Sequence, residues 1–200
     1  TTLNQKMTAS QTDKDSAALT LGASATTNTR SITYYQGGAG EEQSDYTVKY
    51  AGASAVDYTA YFYYISSTSS VRANAGTTLN QKMTASQTDK DSAASTLGAS
   101  ATTNTRSITY YKGSTGDEQS DYTIKYGGTA IIDYTAYFYD VSGSYTRANA
   151  GTTLNQKMLA SQTDKNSAAA SLGASATSNT KSITYYKGST GDEQSDYTIK

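Results

Sequence analysis

Acidic side chains are the most chemically versatile groups that recur in this chain, because it contains no cysteine and no histidine. Any metal ion would have to be bound by oxygen ligands, for which calcium is the natural candidate. Two acidic stretches return in each copy of the sequence. They supply as candidate calcium ligands Asp13, Asp15, Asp89, Asp91, Asp117 and Asp121. Neither stretch matches an EF-hand loop, and the favoured interpretation is solvated turns in which Asp and Ser bond local backbone donors.

Catalysis has few residue types to draw on. Without histidine and cysteine, nucleophilic or acid–base chemistry would need a Ser–Lys pair or two carboxylates at a defined separation. No spacing in the sequence supports either arrangement, and recurrence in three copies fits a structural unit better than an active site. We therefore predict that the protein is not an enzyme, has no catalytic residue, and has no cofactor apart from the calcium candidate.

Tyrosine is the remaining group with binding potential, and the chain has 19 of them. A tyrosine combines an apolar ring with a polar tip, so Tyr35, Tyr61 and Tyr63 could stack on a sugar. With few Leu, Ile and Val in each copy, however, tyrosine must also supply much of the core, and we favour that role. The surplus is expected to seal contacts between repeats, with the candidates Tyr61, Tyr63, Tyr137, Tyr139 and Leu159.

A tandem repeat positions all of these residues. The segment TTLNQKM begins at Thr1, Thr77 and Thr152, which gives two full copies and a third of 49 residues that differs from the second at six positions. Copies this similar must share one fold. We place the repeats at 1–76, 77–151 and 152–200, with 31–106 and 107–181 as the rival division. A unit of this size buries only about 60% of its unfolded surface, so support from neighbouring units is expected.

Strands are predicted where β-branched and aromatic residues alternate with a period of two. The stretch Ser107–Tyr126 contains two such runs, Ser107–Tyr111 and Asp121–Tyr126, and it recurs at 31–50 and 182–200. The polar link between the runs is either a wide hairpin loop or a crossing between sheets. The aromatic runs Val56–Ile65 and Ile132–Val141 predict a strand covered on both faces, or an edge between units.

The remaining segments give weaker signals. Thr1–Ser10 predicts a strand whose outer face would carry Leu159 in the third copy. Thr12–Gly22 predicts either one helical turn capped by Thr12 or a turn that leads into the short strand Ala18–Ala23. The surface loops are expected at 66–71 and 142–146, where the copies differ. The position predicted to be core in this part of every copy is occupied by Leu21, Leu97 and Leu172.

Five to seven short strands per repeat, separated by turn residues, indicate an all-β fold. At about 75 residues per copy, an immunoglobulin-like antiparallel β-sandwich is the expected architecture, and a β-solenoid is the alternative. The net charge of −1 gives no electrostatic reason to bind nucleic acid or acidic membranes, and no apolar run is long enough to insert in a membrane.

Tandem β-rich units, 34 threonines, 27 serines and the absence of cysteine resemble microbial surface fibres and adhesin stalks that are built from immunoglobulin-like repeats. The resemblance implies an extracellular or cell-surface location and a structural role, as a filament or stalk whose partner is another copy of itself. The alternative is an adhesin whose repeats bind glycan through exposed tyrosines.

Overall fold

The protein is described by a computed structural model that covers residues 5–15, 22–67, 69–73, 78, 80–91, 96–148, 153, 155–165 and 171–200. These residues form thirteen β-strands and no helix. The first repeat contains β1 (Ala9–Asp13), β2 (Thr29–Gln36), β3 (Gln43–Ala51), β4 (Ser54–Ser66) and β5 (Ser69–Arg72). The second contains β6 (Met83–Lys90), β7 (Thr105–Lys112), β8 (Gln119–Gly127), β9 (Ala130–Val141) and β10 (Ser144–Arg147). The third contains β11 (Met158–Asp164), β12 (Thr180–Lys187) and β13 (Gln194–Ile199). No segment in these ranges is a helix that could cross a membrane.

All of these strands belong to one antiparallel sheet. Its order is β1-β2-β3-β4-β6-β7-β8-β9-β11-β12-β13, while β5 pairs with β4 and β10 pairs with β9. The prediction of an all-β, antiparallel architecture is confirmed. An immunoglobulin-like sandwich is not confirmed, because the described strands form a single sheet, and neither is a solenoid.

Pairing continues from one repeat to the next. Seven residue pairs join β4 to β6, which we call the first junction, and six join β9 to β11, the second junction. Within a repeat, β3 and β4 are joined by six pairs. Because β5 and β6 flank opposite edges of β4, the chain passes from one edge of β4 to the other between these two strands.

The alternation of side chains explains why the organising strands form. In β7 and β8, Ile108 lies opposite Ile124 and Tyr110 lies opposite Tyr122 on one face, while Thr109 lies opposite Thr123 on the other. The polar link between the two strands is therefore a hairpin loop and not a crossing between sheets. The same hairpin recurs as β2–β3 and β12–β13.

The two faces of the sheet differ in chemistry. On the apolar face, two clusters of buried residues span the junctions: Ala60, Phe62, Ala85, Leu97 and Ile108 at the first, and Ala136, Phe138, Ala160, Leu172 and Ile183 at the second. Each cluster draws residues from two repeats, so burial of apolar area stabilises both the repeat and its contact with the next. The core positions predicted for Leu97 and Leu172 are confirmed, and Leu21 lies outside the described residues.

The opposite face, which we call the hydroxyl face, carries rows of threonine that bond across strands. Thr33 and Thr47 share a hydrogen bond of 2.8 Å within the first repeat, and Thr109 and Thr123 share one of 2.9 Å within the second. Thr59 bonds Thr88 at 2.8 Å across the first junction. Cross-strand hydroxyl pairs of this kind stabilise a sheet modestly but repeatedly.

Three predicted segments are wrong in detail. The first strand spans Ala9–Asp13, so residues 5–8 precede it, and Thr12 is a strand residue and not a helix cap. Residues 1–4 and 16–21 lie outside the described chain, and with them most of the predicted strand Ala18–Ala23. Met7 precedes the strand and is 46% exposed. The predicted surface loops at 66–71 and 142–146 contain the short strands β5 and β10, which begin at Ser69 and Ser144. These strands form because their backbone groups pair with the ends of β4 and β9.

Candidate functional site

A buried polar network surrounds the first acidic position of the repeat. Gln87 Nε2 donates to Asp89 Oδ1 at 3.0 Å and to the carbonyl oxygen of Ser100 at 2.9 Å. Thr102 Oγ1 donates to Asp89 Oδ2 at 2.7 Å. The network recurs in the third repeat around Asp164. The carboxylate is thus bonded by amide and hydroxyl groups at the place where the sequence suggested a calcium ligand.

The other calcium candidates lie apart from one another. Asp15, Asp91 and Asp117 are exposed, and Asp91 Oδ2 is 3.6 Å from Lys90 Nζ. Asp121 is buried against an arginine. In the part of the chain that the structure describes, no three acidic, histidine or cysteine side chains converge on a common point. The structure therefore brings no multidentate carboxylate cluster together, and calcium binding stays a prediction.

Buried ion pairs are the polar feature that sequence reasoning missed. Arg147 Nε donates to Asp121 Oδ1 at 2.7 Å, and Arg72 Nε donates to Asp45 Oδ1 at 2.9 Å. Asp121 is only 2% exposed. It is the extra residue of β8 in a β-bulge opposite β7, and this bulge turns its carboxylate toward the end of β10. The Arg147 guanidinium also lies 5.5 Å from the centre of the Tyr122 ring. The sequence does carry a signal for these pairs, because an Asp precedes an Arg by 27 residues in the first repeat and by 26 residues in the second.

The residues predicted to mediate contacts between repeats lie on the strands that form the junctions. Tyr61 and Tyr63 are in β4, and Tyr137 and Tyr139 hold the same positions in β9. The Tyr63 hydroxyl donates to the Ser44 carbonyl at 2.8 Å, and the Tyr61 hydroxyl bonds Thr47 Oγ1 at 3.0 Å. Burial raises the pKa of Tyr63. Leu159 is half-buried at a register irregularity of β11.

Loop carboxylates tie the hairpin loops to the start of each repeat. The Glu118 carboxylate accepts the Met83 amide at 2.9 Å, and Glu193 accepts the Met158 amide at 3.0 Å. In the first repeat, the bond from the Met7 amide to Glu42 and a second bond from the Gly40 amide help to lower the pKa of Glu42. These glutamates are structural, because their oxygens are already used on backbone donors.

A cavity of about 500 Å³ opens at the first junction. It lies between the β4–β5 hairpin and the ends of β7 and β8. Its wall combines four tyrosine rings with the ammonium groups of Lys82 and Lys112 and with the ion pair of Asp121 and Arg147; the tyrosines are Tyr64, Tyr110, Tyr111 and Tyr122. Four serines of the hairpin line the other side: Ser66, Ser67, Ser69 and Ser70. Aromatic, cationic and hydroxyl groups therefore surround one opening, a combination found in sites for small polar ligands.

Comparison of the chain with protein-family models, with curated proteins and with solved structures finds no significant match.

Proposed function

We propose that the chain is an extracellular structural protein that forms a filament or stalk from its tandem β-repeats. The observation that carries this proposal is the uninterrupted sheet, in which the junction strands pair over as many residues as neighbouring strands within a repeat. An array held together in this way transmits force through backbone hydrogen bonds and not through flexible linkers. The apolar clusters that span both junctions add to this continuity.

The outer edge of β13 shows the surface that an uncovered strand of this sheet presents. In the described sheet β13 has a neighbour on one side only, and its Tyr197 and Ile199 are 52% and 53% exposed. Their counterparts Tyr122 and Ile124 are half-buried, because β9 covers the same edge of β8. An exposed edge with this register accepts a strand of the β9 type, whether from the same polypeptide or from another copy.

An immunoglobulin-like double layer within each repeat would place some strands in a second sheet. All strands of the described residues lie in one sheet, so we base the proposed filament on that single sheet. Glycan binding by the tyrosines nominated from sequence is not part of the proposal, because the hydroxyls of Tyr61 and Tyr63 are bonded within the sheet.

Electron microscopy of the purified chain tests the proposal. Regular filaments are expected, and a synthetic peptide with the sequence of Ala130–Val141 should shorten them by occupying the β13 edge. The matched control is a peptide of the same composition whose order destroys the alternation, and it should leave filament length unchanged. Dispersed particles in the absence of peptide, across concentrations and salt conditions, would overturn the filament proposal.

A further inference from the structure

The two junctions differ at the place where the hairpin of one repeat overhangs the next. In the second junction, Tyr145 of β10 places its ring edge-on to Tyr185, with ring centroids 6.3 Å apart. Ser70 stands at the position of Tyr145 in the first junction, and Tyr110 stands at the position of Tyr185. A serine cannot fill the volume of a phenol ring, so the space over Tyr110 is part of the 500 Å³ cleft. The protein's own tyrosine therefore shows that this space is wide enough for a six-membered ring.

The two junctions also differ in whether their lysines are paired with carboxylates. In the second junction, Lys157 Nζ is 3.5 Å from Asp140 Oδ2, and Lys187 Nζ is 2.9 Å from Asp196 Oδ2. Both lysines are therefore neutralised by a carboxylate.

In the first junction neither carboxylate serves this purpose. Tyr64 replaces Asp140, and Lys82 Nζ lies 5.2 Å from the centre of the Tyr64 ring. Asp121, the counterpart of Asp196, is bonded by Arg147. Among the described residues, Lys82 and Lys112 have no carboxylate within ion-pair distance, and both line the cleft. Asp121 and Arg147 also line the cleft, but as an ion pair they add no net charge, so the two lysines make the cleft basic and an anionic group would be attracted to it.

Hydroxyl groups complete the wall of the cleft. Ser66, Ser67, Ser69 and Ser70 line it beside the lysines. Thr84 Oγ1 donates to the carbonyl oxygen of Phe62 at 3.1 Å and lies 2.8 Å from Ser70 Oγ, so the two hydroxyls share a hydrogen bond at the wall of the cleft. A ligand that bears several hydroxyls would find both donors and acceptors here.

From these three features we propose that the first-junction cleft binds an acidic sugar, a pyranose ring that carries an anionic group. The ring packs on Tyr110 in the place that Tyr145 occupies at the other junction. Lys82 and Lys112 bind the anionic group, and the serines bond the ring hydroxyls. The cavity volume falls within the range of small-ligand sites. This function is additional to filament formation and does not require it.

Calorimetric titration of the full-length chain with a trimer of galacturonic acid tests the proposal. One saturable site per chain is expected, with affinity that falls as salt is added, while the neutral galactose trimer should bind far more weakly. Removal of either ammonium group, in Lys82→Ala or Lys112→Ala, should weaken binding by roughly tenfold. Ser70→Tyr should abolish binding by filling the cleft as Tyr145 fills its counterpart.

The matched control is Ser144→Tyr, which adds the same ring to the hairpin of the second junction and should leave binding unchanged. Unfolding curves establish that each variant is folded. A sulfated galactose trimer that binds at the same site, with the same loss in Ser70→Tyr, would identify sulfate as the anion and support the cleft. The proposal is overturned if neither acidic trimer binds at millimolar concentration, if the neutral trimer binds equally well, or if Ser70→Tyr leaves binding intact. None of these outcomes depends on whether filaments form.

Discussion

At the scale of single residues, each buried arginine–aspartate pair joins two strands that lie end to end along the same edge of a third strand. In the first repeat, β3 begins and β5 ends beside β4, and Asp45 and Arg72 close the gap between them. A buried charge that keeps its partner is tolerated, whereas a buried charge that loses its partner is costly. These pairs should therefore be sensitive to single substitutions and much less sensitive to joint replacement.

Arg147→Met tests this. The variant leaves the Asp121 carboxylate buried without its counter-charge, and we expect the free energy of unfolding to fall by about 3–5 kcal/mol. The double variant Arg147→Met with Asp121→Leu should recover most of that loss. Urea unfolding measures both. As a control, Lys187→Met removes one side of the exposed pair with Asp196 and should leave the unfolding midpoint nearly unchanged. Equal stability of Arg147→Met and the parent chain would contradict the assigned role.

Tyr122 gives a prediction about alkaline pH. Burial, followed by the nearby Tyr110 and Asp121, raises the pKa of Tyr122 to about 12. The unfolded chain releases this proton near pH 10 and the folded chain holds it, so the stability from this group is complete below pH 10 and is lost as pH rises toward 12. Spectrophotometric titration should show several phenols that ionise late, Tyr63 and Tyr139 among them, and Tyr122→Phe should remove the one that ionises near pH 12. Titration of the denatured chain is the reference, and an unchanged amplitude near pH 12 in Tyr122→Phe would refute the assignment.

At the scale of elements, the hairpin loops depend on glycine in only some of their positions. Gly113 has φ of +134°, and a Cβ there would collide with the backbone oxygen of Asp117. Gly116, in the same loop, has φ of +84° but no atom within 4 Å of an added Cβ. The first position thus combines an unfavourable backbone with a steric clash, while the second has only the unfavourable backbone.

Substitution of each glycine by alanine separates the two effects. Both variants should be destabilised, and Gly113→Ala should lose about 1–3 kcal/mol more than Gly116→Ala, because the loop must shift to relieve the contact with Asp117. Chemical denaturation of the pair, measured side by side, gives the difference directly. An equal loss in the two variants would show that the loop accommodates a Cβ at Gly113 without strain.

The alternation of side chains predicted the hairpin strands well but failed for the first strand of each repeat. In β7 and β8 the buried face is aliphatic and aromatic, so a period of two is visible in the sequence. In β6 the buried face contains Gln87 and Asp89; Gln87 donates to Asp89, and Thr102 donates to the other oxygen of the same carboxylate. In a sequence, a polar residue that is buried with its hydrogen bonds satisfied cannot be told from a solvent-exposed one. For that reason the alternation predicts a first strand that starts and ends nearer the beginning of the repeat than the observed one.

At the scale of the whole molecule, local patterns cannot decide between one sheet and two. A strand with one buried face has the same alternation whether a second sheet or a loop covers that face. Here Leu97 and Leu172, which lie in connections and not in strands, complete the apolar clusters. The candidate cleft was equally invisible, because it arises from the difference between Ser70 and Tyr145 at two junctions whose geometry the sequence does not reveal.

The continuous sheet makes a prediction about hydrogen exchange in the intact chain. If the repeats form one sheet, amides of β6 that bond β4 should be protected as strongly as amides of β8 that bond β9, because both ladders lie between other strands. Amides on the outer side of β13 provide the internal control and should exchange fastest, since that edge has no partner among the described strands. Rapid exchange throughout β6 and β11, with protection confined to the hairpins β7–β8 and β12–β13, would instead indicate separate units joined by linkers. That result would remove the physical basis for a force-bearing filament, because the junctions would then open independently of the repeats they connect.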